Sequence, residues 1–181
     1  MTEHNLANDL SNTDYTYSTD VMTGGSDRRM YLYYQLIGSL KKADSVDIIV
    51  SFLMESGVKM LLEELKKAMK RGAQVRILTG NYLGITQPSA LYLIKHELGE
   101  LVDLRFYNEK NRSFHPKSYI FHYADHSEIY IGSSNISRSA LTSGIEWNYR
   151  FSSHRDPENY EKFYRTFEDL FQNHSIVIDD K

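Results

Sequence analysis

The stretch of sequence that decides the fold is residues 46–79, VDIIVSFLMESGVKMLLEELKKAMKRGAQVRILT. It begins with a β-branched apolar run, Val46 to Phe52, and ends with a second one, Gln74 to Thr79. Between these runs, apolar residues recur at helical spacing from Val58 to Met69, and Gly72 follows as a left-handed stop. A strand, an amphipathic helix and a strand in so short a span predict a right-handed βαβ unit with parallel strands. The predicted fold class is therefore α/β.

Further elements are predicted on both sides of this unit. Helical spacing predicts a helix over residues 28–42 before it and another from Pro88 to His96 after it. The rest of the chain is predicted to form a strand (102–107), a hairpin (117–123 and 128–133), a long strand through Ile145, Trp147, Tyr149 and Phe151, and a helix that begins at Asp156 and Pro157.

Length and composition limit the classes of protein to consider. The chain has 181 residues, 41% hydrophobic and 25% charged, as in an ordinary globular domain. It contains no cysteine, which excludes disulfides, thiolate metal sites and a cysteine nucleophile and favours a reducing compartment. Its apolar runs are far shorter than the roughly 18 residues of a membrane span, and residues 1–14 lack the pattern of a secretory signal. We therefore predict a cytoplasmic protein that does not act at a membrane.

Charge is distributed unevenly along the chain. The net charge is −3, but residues 1–27 contain five acidic and no basic side chains, so the remainder carries +2. Residues 1–26 are polar and aperiodic and are predicted to be an N-terminal arm, followed by a single domain over residues 27–181. Basic residues concentrate around the segments described next, as a polyanionic substrate would favour: Arg105, Lys110, Arg112, Lys117, Arg138 and Arg150.

Two segments, residues 115–117 and 132–135, contain the side chains best suited to chemistry. His115 and Lys117 are two residues apart at the start of a predicted strand, so they project to the same side. An imidazole beside a fixed ammonium suits phosphoryl transfer, because positioning and stabilisation of the phosphate oxygens lower its barrier. The second segment follows the neighbouring strand and contributes neutral donors. The predicted phosphate-binding residues are Lys117, Ser133, Ser134 and Asn135.

Together these segments resemble the signature of the phospholipase D superfamily, H-x-K-x4-D followed by G-S-x-N. The likeness extends over roughly residues 45–172. Within this range the sequence is similar to the phospholipase D-like domain at the N-terminus of bacterial DEAD/DEAH-type helicase fusion proteins. It implies a mixed central β-sheet flanked by helices on both faces, and a metal-independent phosphodiesterase that needs no cofactor. It also implies the catalytic residues: His115 as nucleophile, Lys117 and Asn135 as phosphate ligands assisted by Ser133, and Glu146 as the carboxylate that orients an imidazole.

The chain contains one H-x-K segment, whereas the implied reaction uses two histidines. Family members with a single copy form homodimers, so the resemblance implies that His115 of each chain alternates as nucleophile and general acid. The chain departs from the family pattern at His122, where the family has Asp. His122 is seven residues from His115, so on an extended strand the two side chains project to opposite sides (opposite strand parity). His122 is therefore predicted to lie outside the site that contains His115.

The resulting prediction is a DNA nuclease. One alternative is a catalytically silent nucleic-acid-binding or dimerisation module of a helicase or restriction-type machine, which His122 supports. The other is a phospholipid phosphodiesterase, which would expose apolar loops beside the site; the sequence suggests no such feature. No Walker-type phosphate loop occurs, so a helicase motor would lie beyond Lys181 or on another chain.

Overall fold

A mixed β-sheet forms the centre of the protein in the computed structural model, which describes residues 19–178. The strands are β1 (Val21–Met22), β2 (Ser45–Val50), β3 (Gln74–Thr79), β4 (Val102–Tyr107), β5 (Lys117–His122), β6 (Ser127–Gly132), β7 (Asn148–Ser152) and β8 (Ser175–Val177). Their order across the sheet is β1-β7-β6-β5-β2-β3-β4-β8. The helices are α1 (Leu32–Leu40), α2 (Glu55–Lys70), α3 (Pro88–Leu98), α4 (Arg138–Thr142) and α5 (Pro157–Asn173).

The predicted βαβ unit is confirmed. Strands β2 and β3 pair in parallel, with Val46 opposite Val75 and Val50 opposite Thr79, and α2 connects them. Strand β4 continues the parallel half beside β3, whereas β5, β6 and β7 add antiparallel neighbours beyond β2. The sheet is therefore mixed, and β2 lies where its parallel half meets its antiparallel half.

Helices cover both faces of this sheet, as predicted. On one face α1, α2 and α3 pack against alternate strand residues such as Val46, Ile48 and Ile77. On the other face α5 places Phe167 and Phe171 against the intervening residues, which include Ile49, Leu78, Ile120 and Ile129. The period-2 alternation of the central strands divides their apolar side chains between two cores.

Helix ends follow the local sequence. Helix α2 is followed by Gly72, whose φ of +99° is the predicted left-handed stop. Helix α5 begins as predicted, because the Asp156 side chain accepts a hydrogen bond from the Asn159 amide and Pro157 occupies the first turn. The predicted helix over residues 28–42 is instead divided into a 3-10 turn and α1, because Tyr31 adopts an extended backbone conformation.

Two sequence-based boundaries differ from the structure. The predicted long strand begins later, at Asn148, and Ile145 and Trp147 are 87% and 73% exposed in the loop before it. The predicted arm contributes a strand, β1, whose Met22 is fully buried. Asp20 beside it forms ion pairs with two arginines of the β7 region, so residues 19–26 belong to the fold. The remainder of the predicted arm, residues 1–18, lies outside the described residues.

Candidate active site

The candidate site residues meet at one edge of the sheet. At this edge β2, β3 and β6 end, whereas β5 and β7 begin. The segment 115–117 enters β5 there, and the segment 132–135 leaves β6 beside it. The residues that follow β2 form a hydrogen bond with each of these two segments. The Ser51 hydroxyl donates to the Pro116 carbonyl at 3.1 Å, and the Phe52 amide donates to Asn135 Oδ1.

His115 lies exposed just before β5. Its neighbour Phe114 is buried against Gly80, where an added Cβ would lie 2.7 Å from the Phe114 ring. The imidazole itself contacts the ring of Tyr82, with 4.1 Å between ring centroids. Desolvation lowers the pKa of His115 below its ordinary value, and the nearby Lys117 ammonium lowers it further. Within a single chain both effects favour the neutral imidazole, whose unprotonated ring nitrogen can act as nucleophile or base.

Lys117 is the first residue of β5 and is only 8% exposed. Its Nζ donates a hydrogen bond to the backbone carbonyl of His115 at 2.9 Å, which fixes the ammonium beside the imidazole. Burial lowers the pKa of Lys117, and the negative charge of Glu146 offsets part of that effect. A positioned, partly desolvated cation of this kind interacts strongly with an anionic oxygen.

Ser133 and Glu146 form a hydrogen-bonded pair at the same edge of the sheet. The Ser133 hydroxyl donates a hydrogen bond to the Glu146 carboxylate and accepts one from the Trp147 amide at 3.0 Å. The role predicted for Glu146 was to orient an imidazole. Within a single chain its carboxylate instead accepts the Ser133 hydrogen bond, and its charge acts on Lys117.

The glycine of the G-S-x-N segment has a steric explanation. A Cβ on Gly132 would lie 2.1 Å from the Trp147 carbonyl oxygen and 2.6 Å from Asn148 Oδ1. The absence of a side chain lets β7 approach closely enough for the Ser133 amide to donate to the Trp147 carbonyl at 3.0 Å. Gly132 therefore brings Ser133 and the loop that carries Glu146 together.

Ser134 is fully buried, and its hydroxyl has protein partners. The hydroxyl donates to the Ala140 carbonyl and accepts a 2.9 Å hydrogen bond from Asn148 Nδ2, while Tyr119 donates to the Ser134 carbonyl. These bonds fix the loop from inside, and phosphate binding by Ser134 stays a prediction. Asn148 is not among the residues predicted from the sequence, because its contact with Ser134 depends on the register between β6 and β7.

Asn135 is the other buried residue of the segment, at 5% exposure. Its side-chain oxygen accepts from the Phe52 amide at 3.3 Å. This hydrogen bond orients the amide group, so the NH2 end is the one available as a donor to a substrate oxygen.

Apart from Lys117, the residues of the predicted basic cluster separate into two groups. Lys110, Arg112 and Arg138 are exposed in or next to the loops that carry the two segments. Arg105 instead pairs with Asp103 and lies over the Phe171 ring, and Arg150 pairs with Asp20 and Glu128. These two arginines hold the fold together and do not contribute to the site.

His122 lies on the α5 side of the sheet; its strand parity predicted only that it projects to the opposite side of the strand from His115. Its Nε2 atom is 2.8 Å from a carboxylate oxygen of Asp47, which is 2% exposed and also accepts two hydrogen bonds from Arg76. Arg76 bonds in turn to Glu168 of α5. The imidazole at the position of the family aspartate thus pairs with a carboxylate supplied by the neighbouring strand β2.

Exposed apolar side chains flank the site, contrary to the sequence-based expectation. Leu83 is 79% exposed in the loop after β3, and Ile145 and Trp147 are exposed on either side of Glu146. The sequence concealed this feature because Leu83 and Ile145 are 62 residues apart, and only the fold places their loops at the same edge of the sheet. Among residues 19–178, no group of three or more His, Asp or Glu side chains is placed to hold a metal ion. Within the same range, no helix is long and apolar enough to span a membrane.

The sheet and the site together define the class of protein. Helices on both faces of a mixed sheet, with H-x-K entering one strand and G-S-x-N leaving its neighbour, constitute a phospholipase D-like (PLD-like) fold. Residues 35–174 match the family model described as "Cardiolipin synthase, PLD-like domain". This match covers most of the sequence, and the chain belongs to that PLD-like family.

Solved structures agree on the fold. Nuc, a phospholipase D family member from Salmonella typhimurium, matches with a TM-score of 0.64 and 20% identity, over 88% of this chain and 97% of that one. NucT from Helicobacter pylori matches with a TM-score of 0.67 and 16% identity, over 87% and 97% of the two chains. Polyphosphate kinase from Porphyromonas gingivalis matches with a TM-score of 0.66 and 13% identity, over 97% of this chain and 26% of that one. No curated protein matches the sequence.

Proposed function

We propose that this chain is a metal-independent phosphodiesterase that hydrolyses DNA through a phosphohistidine formed on His115. The observation that carries the proposal is the exposed imidazole of His115 next to the buried ammonium of Lys117, which is bonded to the backbone carbonyl of His115. The imidazole has a free ring nitrogen for attack on phosphorus, and the ammonium is held where it can stabilise phosphate oxygens. Asn135 and Ser133 add neutral donors at the same edge of the sheet.

The reaction has two steps. The neutral His115 of one chain bonds through a ring nitrogen to phosphorus while the bond to the leaving oxygen breaks, and the partner subunit's His115, which starts in its protonated form, donates its proton to that oxygen. Water then attacks the phosphohistidine and transfers a proton to the same partner imidazole. The bond between phosphorus and nitrogen breaks, which restores both histidines.

The second histidine requires a second copy of the chain. The sequence has one H-x-K segment, and the exposed side chains Ile145 and Trp147 lie on either side of Glu146 at the site. A two-fold contact that covers them would bring the two sites together and place Glu146 beside the partner's imidazole. The proposed active species is therefore a homodimer.

Exposed cations favour a polyanionic substrate. Lys110 and Arg112 precede His115 by five and three residues, and Arg138 follows Asn135 by three, so positive charge lies on two sides of the site. Phosphates on either side of a cleaved linkage would contact such residues. A phospholipid phosphodiesterase is the second candidate, favoured by the exposure of Leu83 and Trp147 beside the site. The helicase partner and the cytoplasmic location stay predictions from the sequence.

The decisive experiment is cleavage of labelled single- and double-stranded DNA in excess chelator. We expect the native protein to cleave and, on quenching, to yield an acid-labile covalent adduct between His115 and the labelled DNA, and His115→Ala to abolish both. His96→Ala, on the exposed face of α3, is the matched control and should cleave normally. Hydrolysis of phospholipid vesicles instead of DNA would support the second candidate, and no phosphodiester cleavage would support the silent module.

A mixing experiment tests the dimer. Equal amounts of native and His115→Ala chains are unfolded together, refolded and assayed at constant total protein. If each active unit requires two histidines, activity falls to about a quarter of the native value, because only that fraction of dimers is fully native. A fall to one half would show that a single His115 is sufficient.

A further inference from the structure

Tyr82 makes a contact with the nucleophile that the superfamily signature does not include. It lies just after β3, and its ring contacts the His115 ring with 4.1 Å between centroids and 40° between planes. The preceding Gly80 accommodates Phe114, the residue next to His115. The end of β3 therefore contacts two consecutive residues of the segment that enters β5, one through Gly80 and one through Tyr82.

The loop that carries Tyr82 is attached to the site at both ends. At its start, the Tyr82 amide donates to the carbonyl of Ser51, the residue that also bonds to Pro116. At its end, the Thr86 hydroxyl donates to the Gly80 carbonyl and accepts from the Leu53 amide. These hydrogen bonds limit the positions that the Tyr82 ring can occupy over His115.

Between these attachments the backbone adopts an uncommon conformation. Leu83 has a φ of +52°, in the left-handed region that residues with a Cβ seldom occupy, and Gly84 follows with a φ of +71°. Leu83 is 79% exposed, so burial of its own side chain does not compensate for that conformation. Instead, the turn reverses the chain direction directly after Tyr82, so that Thr86 can bond to the Gly80 carbonyl. Backbone conformations of this kind concentrate at functional sites.

We propose that Tyr82 is a positioning residue for the nucleophile, which holds the imidazole of His115 in its attacking orientation and shields one of its faces from water. The proposal rests on the proposed function, because it assigns Tyr82 a role only through His115. Contact with an aromatic ring restricts rotation of the imidazole, and shielding disfavours its charged form. Both effects increase the fraction of His115 that is neutral and correctly oriented for attack.

The test compares Tyr82→Leu, which keeps an apolar side chain but removes the ring, with Tyr82→Phe, which keeps the ring. The substrate is bis(p-nitrophenyl) phosphate, and the pKa of His115 is measured separately by NMR on histidine-labelled protein. For Tyr82→Leu we expect kcat to fall about ten- to hundredfold with little change in KM, and the pKa of His115 to rise. Tyr82→Phe should restore most of the lost kcat and the native pKa.

Tyr92→Leu is the matched control, because it removes a tyrosine stacked on a different histidine, His96, on α3. It should change neither the kinetics nor the titration of His115. The proposal is overturned if Tyr82→Leu leaves the pKa of His115 and kcat at their native values, or if it raises KM alone, which would make Tyr82 a substrate contact. Failure of the proposed function gives a different result, since activity would then survive His115→Ala or be absent from the native protein. The titration decides the role of Tyr82 even without activity.

Discussion

Replacement of Gly132 by alanine tests the steric argument for the G-S-x-N segment. The added Cβ would lie 2.1 Å from the Trp147 carbonyl oxygen, whereas real Cβ atoms essentially never approach a heavy atom closer than 3.0 Å. The start of β7 must therefore move away by about 0.9 Å or more, and the obstacle is backbone, which cannot rotate aside. The displacement also separates Ser133 from Trp147, which exchange two hydrogen bonds of 3.0 Å.

The expected cost follows from these two effects. Overpacking of this kind costs about 1–3 kcal/mol, and weakening of the two hydrogen bonds adds about 1 kcal/mol, since both groups can partly rebind water. We therefore expect Gly132→Ala to lower the free energy of unfolding by about 2–4 kcal/mol. Gly38→Ala is the matched control, because an added Cβ at that position in α1 meets nothing within 4 Å. Alanine is the better helix former by about 0.5–1 kcal/mol, so this variant should be more stable than the native protein.

Urea unfolding at a fixed protein concentration measures both changes. Trp147 is the single tryptophan in the sequence, so its fluorescence reports directly on the displaced segment. We expect altered Trp147 emission in folded Gly132→Ala and native emission in Gly38→Ala. The steric reasoning is refuted if Gly132→Ala unfolds within about 0.5 kcal/mol of the native protein with unchanged emission.

Two further predictions concern ionisation. The NMR titration of His115 should have its midpoint below the ordinary value of about 6.5. Lys117→Met should raise that midpoint, because it removes a neighbouring positive charge. Equal midpoints in the two proteins would show that the Lys117 ammonium does not act on His115. Burial raises the pKa of Asp47, but hydrogen bonds from His122 and Arg76 outweigh burial and hold the pKa below its ordinary value. The Asp47 carboxylate therefore stabilises the folded state fully above about pH 4, and this contribution is lost as the pH falls through the folded-state pKa. Asp47→Asn should therefore cost about 3 kcal/mol at neutral pH but flatten the acid limb of stability measured by urea unfolding, and parallel pH profiles would show that the carboxylate has no such role.

The candidate site was predictable to the extent that its chemistry lies in short segments. His115 and Lys117 are neighbours in sequence and share a side of the chain in almost any extended conformation, so their pairing required only local geometry. Glu146 was found by resemblance, yet its partner within the chain is Ser133, a contact that depends on the close approach of β7 to Gly132. The exposure of Trp147 was missed because alternation of apolar residues extended the predicted strand beyond its true start.

By itself, the sequence determined the α/β class, the parallel βαβ unit and the two segments that form the candidate site, because each depends on periodicity or spacing within a few residues. Only the tertiary structure decided which distant groups meet. Tyr82 contacts His115 across 33 positions of sequence, and His122 pairs with Asp47 across 75, because strand order and register bring them together. Such contacts form when the whole sheet assembles, and no local pattern records them.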